Sequence, residues 1–189
     1  GTSQVTACFF GDDASNNGTF HESLNLASLH KLPVVFVCEN NCYGISVCQA
    51  KCTAINDIAS RAVAYDMPGV VVDGNNVMEV YDAAAKAVKR ARAGEGPSLI
   101  ECKTYRWRGH HEGDPNQGAR YRTKDEIQAW KEKCPIEHLR KKLLKDRIAT
   151  KKALEKIDDE ILQAISEAVS FAQTSEFPSV EEMYDDVYV

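Results

Sequence analysis

Two oxygen-bearing side chains, Asp12 and Asn41, each stand just after an apolar run and could bind a hard cation together. The first run extends from Val5 to Phe10, and the second from Val34 to Cys38. Carboxylate and amide oxygens suit Mg²⁺, which takes few carboxylates and completes its octahedron with phosphate oxygens and water. Asp12, the Asn41 side chain and one loop carbonyl would supply the protein ligands, and a diphosphate and water would supply the rest.

A strand-helix-strand unit is predicted to bring these two residues together. The segment between the apolar runs has a capping-box spacing at Thr19 and Glu22 and stops at Pro33. Such a crossover is right-handed and leaves both strand ends on one edge of a parallel sheet, where open α/β sheets bind ligands. The alternative is a plain turn unit in which Asp12 and Asn41 make only local hydrogen bonds.

The rest of the chain continues the alternation of strands and helices. A helix is expected from about Ile55 to Ala64, a strand over Pro68 to Val72, and a strand over Ser98 to Lys103. Between these strands lies a periodic helix with a cap at Asn76 and a stop at Gly94. This order predicts an α/β fold with a mainly parallel sheet and helices on both faces.

The C-terminal third is predicted to be helical. Helices are expected to begin near Lys124 and at Pro135, and a long one to run from about Thr150 to Thr174. One face of the long helix is an apolar stripe, which we expect to pack on the domain rather than against a partner helix. No linker interrupts the chain, so residues 1–189 are expected to form a single domain.

The loop from Tyr105 to Arg122, which we call the histidine loop, reads YRWRGHHEGDPNQGARYR and directly follows a predicted strand. It holds two His and four Arg among three Gly and one Pro. One interpretation is a solvated surface loop, because loops are polar by default. The other is an active-site loop that becomes ordered around an anionic ligand.

Composition narrows the class of protein. A net charge of −5 argues against nucleic acid or an anionic membrane surface as a partner. The longest apolar run is too short for a membrane span, and no targeting segment is visible. The chain has seven cysteines, an odd number, and Cys8, Cys38 and Cys102 fall in predicted buried strands, which is typical of a reducing compartment. Cys42, Cys48 and Cys52 lack the Cys-x-x-Cys pairs of zinc sites and are interpreted as oxidation-sensitive bystanders.

The stretch GDDASNNGTFHESLNLASLHKLPVVFVCENNCYGIS resembles the thiamine diphosphate motif, in which Gly-Asp-Gly is answered later in the chain by Asn-Asn. More narrowly, it is similar to the α subunits of thiamine-dependent pyruvate, branched-chain 2-oxo acid and acetoin dehydrogenases. The similarity continues through YRWRGHHEGDP to Thr123 and covers essentially the whole chain as the C-terminal part of such a subunit. It implies a three-layer thiamine diphosphate-binding fold.

The resemblance also implies roles for particular residues. Asp12, Asn41 and the carbonyl of Tyr43 would hold Mg²⁺. His110 would be the catalytic residue, hydrogen-bonding the diphosphate and stabilising charge around the reacting ring. The cofactor-binding set as a whole is Asp12, Asp13, Ala14, Asn41, Tyr43 and His110, in which Asp13 and Ala14 offer their backbone to the diphosphate.

Four residues of the histidine loop match positions that hold this loop in family members: Arg106, Asp114, Tyr121 and Arg122. We expect a charge-assisted pair between Arg106 and Asp114. Mitochondrial members carry phosphorylatable serines here, whereas residues 107–120 contain neither Ser nor Thr. This difference favours a bacterial, cytoplasmic member, with the mitochondrial matrix as the alternative.

One residue departs from the motif, because Asp13 stands where the family has its final Gly. A second negative charge near a diphosphate is expected to weaken binding by about 1 kcal/mol in water and about 4 at an intermediate dielectric. In one interpretation the carboxylate points to solvent and the site is active. In the other, the site is weakened or inactive.

The resemblance implies an enzyme that decarboxylates a 2-oxo acid or cleaves acetoin and passes the acyl group to a lipoyl-bearing transacylase. Its cofactors would be thiamine diphosphate and Mg²⁺, and a β subunit would complete the site in an α₂β₂ assembly. The first alternative is a non-catalytic interaction domain of the same fold that has lost cofactor binding. The second is an unrelated nucleotide-binding domain, although a Gly-x-Gly-x-x-Gly turn is missing.

Overall fold

A central sheet of four parallel strands organises the protein. The structure is a computed structural model, and it describes residues 2–114, 118 and 120–187. The strands of the chain are β1 (Thr6–Gly11), β2 (Val34–Asn40), β3 (Tyr43–Gly44), β4 (Val47–Cys48), β5 (Gly69–Asp73) and β6 (Ser98–Lys103). The α-helices are α1 (Gly18–Leu29), α2 (Gln49–Cys52), α3 (Val77–Arg92), α4 (Lys124–Lys131), α5 (Pro135–Lys145) and α6 (Lys151–Thr174).

The strand order of the sheet is β1-β2-β6-β5, and every pairing in it is parallel. The register places Gly11 beside Glu39 and Cys38 beside Glu101, so the carboxyl ends of β1, β2 and β6 share one edge. The short strands β3 and β4 form a separate antiparallel hairpin just beyond that edge. The predicted α/β fold with a mainly parallel sheet is confirmed.

Each face of the sheet has its own apolar core, which gives three layers. On one face α1 and a 3₁₀ helix (Ile58–Tyr65) cover the strands, with Leu24, Ile58 and Leu99 fully buried. On the other face α3 contributes Ala87 against Val35 of β2. Because both faces are covered, the central strands β2 and β6 are buried on both sides.

Two predicted details of the helices are wrong. The N-cap of α1 is Asn17, whose side chain accepts hydrogen bonds from the Thr19 N–H (3.0 Å) and hydroxyl (2.8 Å), so Thr19 and Glu22 form no capping box. An Asx cap two residues upstream already satisfies the first turn. The helix expected from about Ile55 to Ala64 is present but starts later, since residues Ile58–Tyr65 form it, as a 3₁₀ helix. By contrast, Asn76 caps α3 and Gly94, with a φ of 72°, ends it as predicted.

The edge position of β1 exposes residues that were expected to be buried. Phe9 is 65% exposed and Cys8 is exposed, whereas Cys38 and Cys102, on the inner strands, are buried as predicted. All seven cysteines are free thiols. None of the helices within 2–114, 118 and 120–187 combines the length and apolarity that crossing a bilayer requires.

Contacts divide the chain into two units, Gly1–Leu139 and Arg140–Val189. The second consists mainly of α6, and within it Arg140 of α5 forms an ion pair with Asp158 of α6 at 2.9 Å. The C-terminal third is helical as predicted, but its apolar stripe is not buried, since Ile157, Ile161 and Ile165 are each more than half exposed. That the whole chain forms one domain stays a prediction.

Candidate cation and diphosphate site

Asp12 and Asn41 lie side by side at the carboxyl edge of the sheet. The backbone N–H of Asn41 donates to Asp12 Oδ1 at 3.3 Å. Asp12 is only 2% exposed, and its other oxygen, Oδ2, is buried without a hydrogen bond from any residue that the structure describes. The crossover therefore brings the two residues together as predicted, and it leaves one carboxylate oxygen to be satisfied by something else.

Electrostatics make this carboxylate a good cation ligand. Burial raises the pKa of Asp12 above its ordinary value, backbone N–H groups oppose that rise, and the charge of Asp13 adds to it. A buried carboxylate with an unsatisfied oxygen is unfavourable by itself and is stabilised when a divalent cation binds it. The donor set fits Mg²⁺, because it contains one carboxylate and one amide oxygen and no sulfur.

The loop that carries Asn41 is folded by its own side chains. Asn40 Oδ1 accepts from the Cys42 N–H, and Asn41 Oδ1 accepts from the Tyr43 N–H, each at 3.1 Å. These are two consecutive Asx turns, between which Cys42 adopts a left-handed φ of 71°. An amide oxygen has two lone pairs, so Asn41 Oδ1 retains one for a cation.

Asp13 opens a short 3₁₀ helix (Asp13–Asn16), and its exposed side chain lies against Gly44. A Cβ added at Gly44 would be only 2.3 Å from Asp13 Cγ, so Asp13 requires glycine at position 44. Ala14 is also exposed at this edge. The carboxylate of Asp13 is therefore exposed to solvent, as in the first interpretation, but it also packs on Gly44, next to the candidate ligand Tyr43.

Strain is stored in the two-residue turn between β3 and β4, where Ile45 has a φ of 51° and is 61% exposed. A β-branched residue is unfavourable there, by about 1–2 kcal/mol. We expect Ile45→Asn to raise the free energy of unfolding by about 1 kcal/mol, because asparagine tolerates this conformation. Urea unfolding should show a higher midpoint, whereas Val47→Asn, at a neighbouring exposed position, should lower it or leave it unchanged.

A buried arginine anchors the histidine loop. Arg122, 5% exposed, donates hydrogen bonds to the carbonyls of Arg106, Trp107 and Arg108. Its guanidinium also lies 5.5–5.7 Å from the ring centres of Tyr43, Tyr105 and Tyr121. One side chain thus ties the histidine loop to the loop that carries the candidate cation ligands.

Glu126 of α4, for which no role is predicted from the sequence, holds two of these tyrosines. The hydroxyls of Tyr43 and Tyr105 both donate to Glu126 Oε1 at 2.8 Å. Burial and these hydrogen bonds raise the pKa of Tyr43, and that of Tyr105 to about 12. Both phenols therefore stay neutral and act as fixed donors. The only sequence signal was the acidic first turn of α4, which is also a common feature of ordinary helices.

His110 is exposed, and only its backbone is fixed. Its N–H donates to Asp114 Oδ2 at 2.9 Å, and its ring lies edge-on to that of His111. The predicted direct pair of Arg106 with Asp114 is absent from the described residues. Instead the Tyr121 hydroxyl accepts from Arg106 at 3.1 Å and donates to Asp114 at 2.5 Å, because a phenol can do both. Residues 115–117 and 119 of this loop lie outside the described residues.

The Tyr121 hydroxyl lowers the pKa of Asp114, with help from the His110 N–H. Because the pKa is depressed, the hydrogen bonds of ionised Asp114 stabilise the loop fully above pH 3.8, the ordinary pKa. This stabilisation is lost as the pH falls through the depressed pKa. We expect Tyr121→Phe to move the Asp114 titration up towards 3.8, as followed by the ¹³C shift of its carboxyl. Tyr81→Phe, at an exposed tyrosine, should leave this titration in place.

The cysteines near the site form no alternative metal centre among the described residues, where no group of three or more His, Cys, Asp or Glu side chains could hold a metal. Burial raises the pKa of Cys42 to about 11. Its thiol is therefore protonated at neutral pH and is a poor ligand.

A sequence model of the dehydrogenase E1 component family matches residues 1–181. The chain belongs to this family. Members of this family use thiamine diphosphate as a cofactor.

Among its relatives, the α subunit of the acetoin:2,6-dichlorophenolindophenol oxidoreductase of Bacillus subtilis (strain 168) is 50% identical over 189 residues, which are 100% of this chain and 55% of the relative. The pyruvate dehydrogenase E1 α subunit of Porphyra purpurea is 43% identical over 97% of this chain and 52% of its own length. That of Rhizobium meliloti (strain 1021) is 39% identical over 99% of this chain and 53% of its own length. The chain spans about half the length of these relatives.

Proposed function

We propose that this chain belongs to the α subunit of a thiamine diphosphate-dependent dehydrogenase that decarboxylates a 2-oxo acid or cleaves acetoin and transfers the acyl group to a lipoyl carrier. The observation that carries the proposal is the buried Asp12 carboxylate, with one oxygen unsatisfied beside Asn41, in an E1 component. A domain that had lost cofactor binding would have no reason to keep this unfavourable group.

In this proposal, Asp12 Oδ2, Asn41 Oδ1 and the Tyr43 carbonyl hold Mg²⁺, which binds the diphosphate. The backbone N–H groups of Asp13 and Ala14 face the diphosphate, because the first N–H groups of a helical turn have no partner within it. When bound, the thiamine ring supplies a nucleophilic carbon and an electron sink. The chain supplies position and charge for that chemistry.

His110 is the proposed catalytic residue. Its backbone is held by Asp114 while its ring remains exposed, so the imidazole can turn towards a cofactor without disturbing the loop. The ring would donate a hydrogen bond to the diphosphate and stabilise charge next to the reacting carbon. Arg122, Tyr121 and Asp114 keep the loop in place for this role.

The proposed partners are a β subunit, in an α₂β₂ assembly that completes the site, and a lipoyl-bearing transacylase. A net charge of −5 remains the argument against nucleic acid as a partner. The proposed substrates are acetoin and pyruvate, since relatives that match the whole chain, or nearly all of it, are an acetoin oxidoreductase subunit and pyruvate dehydrogenase subunits. The proposed compartment is the bacterial cytoplasm.

The test is to assemble the full-length subunit with its β partner and to measure dye reduction with acetoin, pyruvate and branched-chain 2-oxo acids. Turnover that requires both thiamine diphosphate and Mg²⁺ is expected with acetoin or pyruvate. Calorimetric titration with both cofactors should detect binding, and Asp12→Ala should abolish it. An assembly that forms but binds neither cofactor would favour the non-catalytic alternative.

Asp13 offers a graded test of the same site. We expect Asp13→Gly to increase the affinity for thiamine diphosphate about five- to tenfold, because removing one like charge near a wet diphosphate is worth about 1 kcal/mol. Asp13→Asn keeps the contact with Gly44 and removes only the charge, so it should recover most of this gain. If neither variant changes the affinity measured by calorimetry, the carboxylate does not face the diphosphate.

A further inference from the structure

A buried polar network lies directly behind the loop that carries Asn41. Asn40, the last residue of β2, and Glu101, two residues before the end of the adjacent strand β6, are both 0% exposed. Asn40 Nδ2 donates to Glu101 Oε1 at 2.6 Å and to Gln49 Oε1 at 2.9 Å. A buried carboxylate such as that of Glu101 is unfavourable unless hydrogen bonds and an opposite charge compensate it.

Glu101 is compensated on both of its oxygens. Oε1 also accepts from Lys103 Nζ at 2.7 Å, and Oε2 accepts from the Ala59 N–H at 2.8 Å. Lys103 in turn pairs with Asp57 at 3.2 Å. The network therefore joins β6 to the 3₁₀ helix, and it gives the Glu101 carboxylate a single orientation.

That orientation is passed on to the loop through one amide. Both Nδ2 protons of Asn40 are used within the network, so its Oδ1 can point only away from Glu101, where it accepts from the Cys42 N–H. This bond holds Cys42 in its left-handed conformation, with Asn41 and Tyr43 on either side. The Cys42 carbonyl also accepts from the Gln49 N–H at 2.9 Å. Without the Asn40 bond, an unfavourable left-handed conformation loses one of its supports, and the two ligands on either side lose their fixed direction.

We propose that Glu101 is a positioning residue for the cation site, acting through Asn40 to set the loop that presents Asn41 Oδ1 and the Tyr43 carbonyl beside Asp12. The inference rests on the proposed function of that site. Residues behind metal ligands are worth about 10–100-fold in metal affinity, although they never touch the ion. Nothing about this role depends on Glu101 contacting cofactor or substrate.

Glu101→Gln is the direct test, because its amide places an N–H against another donor in either orientation. We expect the affinity for Mn²⁺, measured by electron paramagnetic resonance with thiamine diphosphate present on the full-length subunit and its partner, to fall about tenfold or more. Gln49→Ala removes one partner of Asn40 without touching the buried charge. It should lower the affinity about threefold, as expected for the loss of one neutral hydrogen bond, and it tests the inference if Glu101→Gln does not fold.

Two further variants distinguish a loss of protein stability from a loss of the positioning of the cation ligands. Ser28→Ala removes a hydrogen bond from α1 to the Tyr65 carbonyl at the end of the 3₁₀ helix, and it should lower stability without changing Mn²⁺ affinity. Asn40→Asp combined with Glu101→Gln exchanges donor and acceptor across this one contact and leaves Lys103 paired with Asp57, so it should recover part of the lost affinity. Wild-type affinity in folded Glu101→Gln or Gln49→Ala would overturn the inference. Wild-type protein that binds no Mn²⁺ at all would instead overturn the proposed function.

Discussion

Asp12→Asn should abolish cation binding and at the same time stabilise the cation-free protein. The loss of affinity for Mn²⁺ should exceed the 10–100-fold typical of residues behind a ligand, since the charged ligand itself is removed. The gain in the free energy of unfolding should be about 1 kcal/mol or more, because a desolvated carboxylate with an unsatisfied oxygen becomes a neutral amide.

The pH dependence follows from the raised pKa of Asp12. The ionised form is the disfavoured one in the fold, so the cost is full above the folded-state pKa and disappears as protonation proceeds on acidification. In EDTA, the stability difference between Asp12→Asn and wild type should therefore shrink as the pH is lowered from 7.5 towards 4.

Urea unfolding in EDTA and Mn²⁺ titration measure the two effects separately. Asp66→Asn is a matched control, since Asp66 is exposed and its left-handed backbone tolerates asparagine. It should change neither quantity. A destabilised Asp12→Asn protein would mean that the carboxylate serves the fold rather than a cation.

Arg122→Ala should release the histidine loop and destabilise the fold by about 3 kcal/mol, because it removes a buried charge that satisfies three carbonyls. Tryptic cleavage after Arg106 or Arg108 should accelerate at least about tenfold, in line with a loss of more than 1.4 kcal/mol of local stability. Arg122→Lys should be intermediate, since an ammonium lacks the planar fork that reaches several carbonyls.

Arg120→Ala is the matched control within the same loop, because Arg120 is exposed. The unfolding midpoint of the Arg120→Ala variant should equal that of the wild type. Its rate of tryptic cleavage at the remaining sites of the loop should also be unchanged. An Arg122→Ala protein that resists trypsin as wild type does would show that other contacts hold the loop.

Local sequence determined the elements and the meeting of Asp12 with Asn41. Apolar runs, Pro33 and the handedness of strand-helix-strand crossovers are short-range properties, and they suffice to place two strand ends on one edge. The motif and the resemblance it carries also lie within one contiguous stretch. Local sequence determines helix boundaries less sharply, as the N-cap at Asn17 shows, because neighbouring polar residues compete for the same N–H groups.

Only the tertiary structure decided which polar side chains act behind the site. Glu101 alternates with apolar neighbours in SLIECK and so resembles a residue on a solvated face, yet it is fully buried because helices cover both faces of the central strand. Glu126 gained its role from Tyr43 and Tyr105, which are 83 and 21 residues away in the chain. Such pairings depend on how whole layers pack, and no residue type or spacing within one segment encodes them.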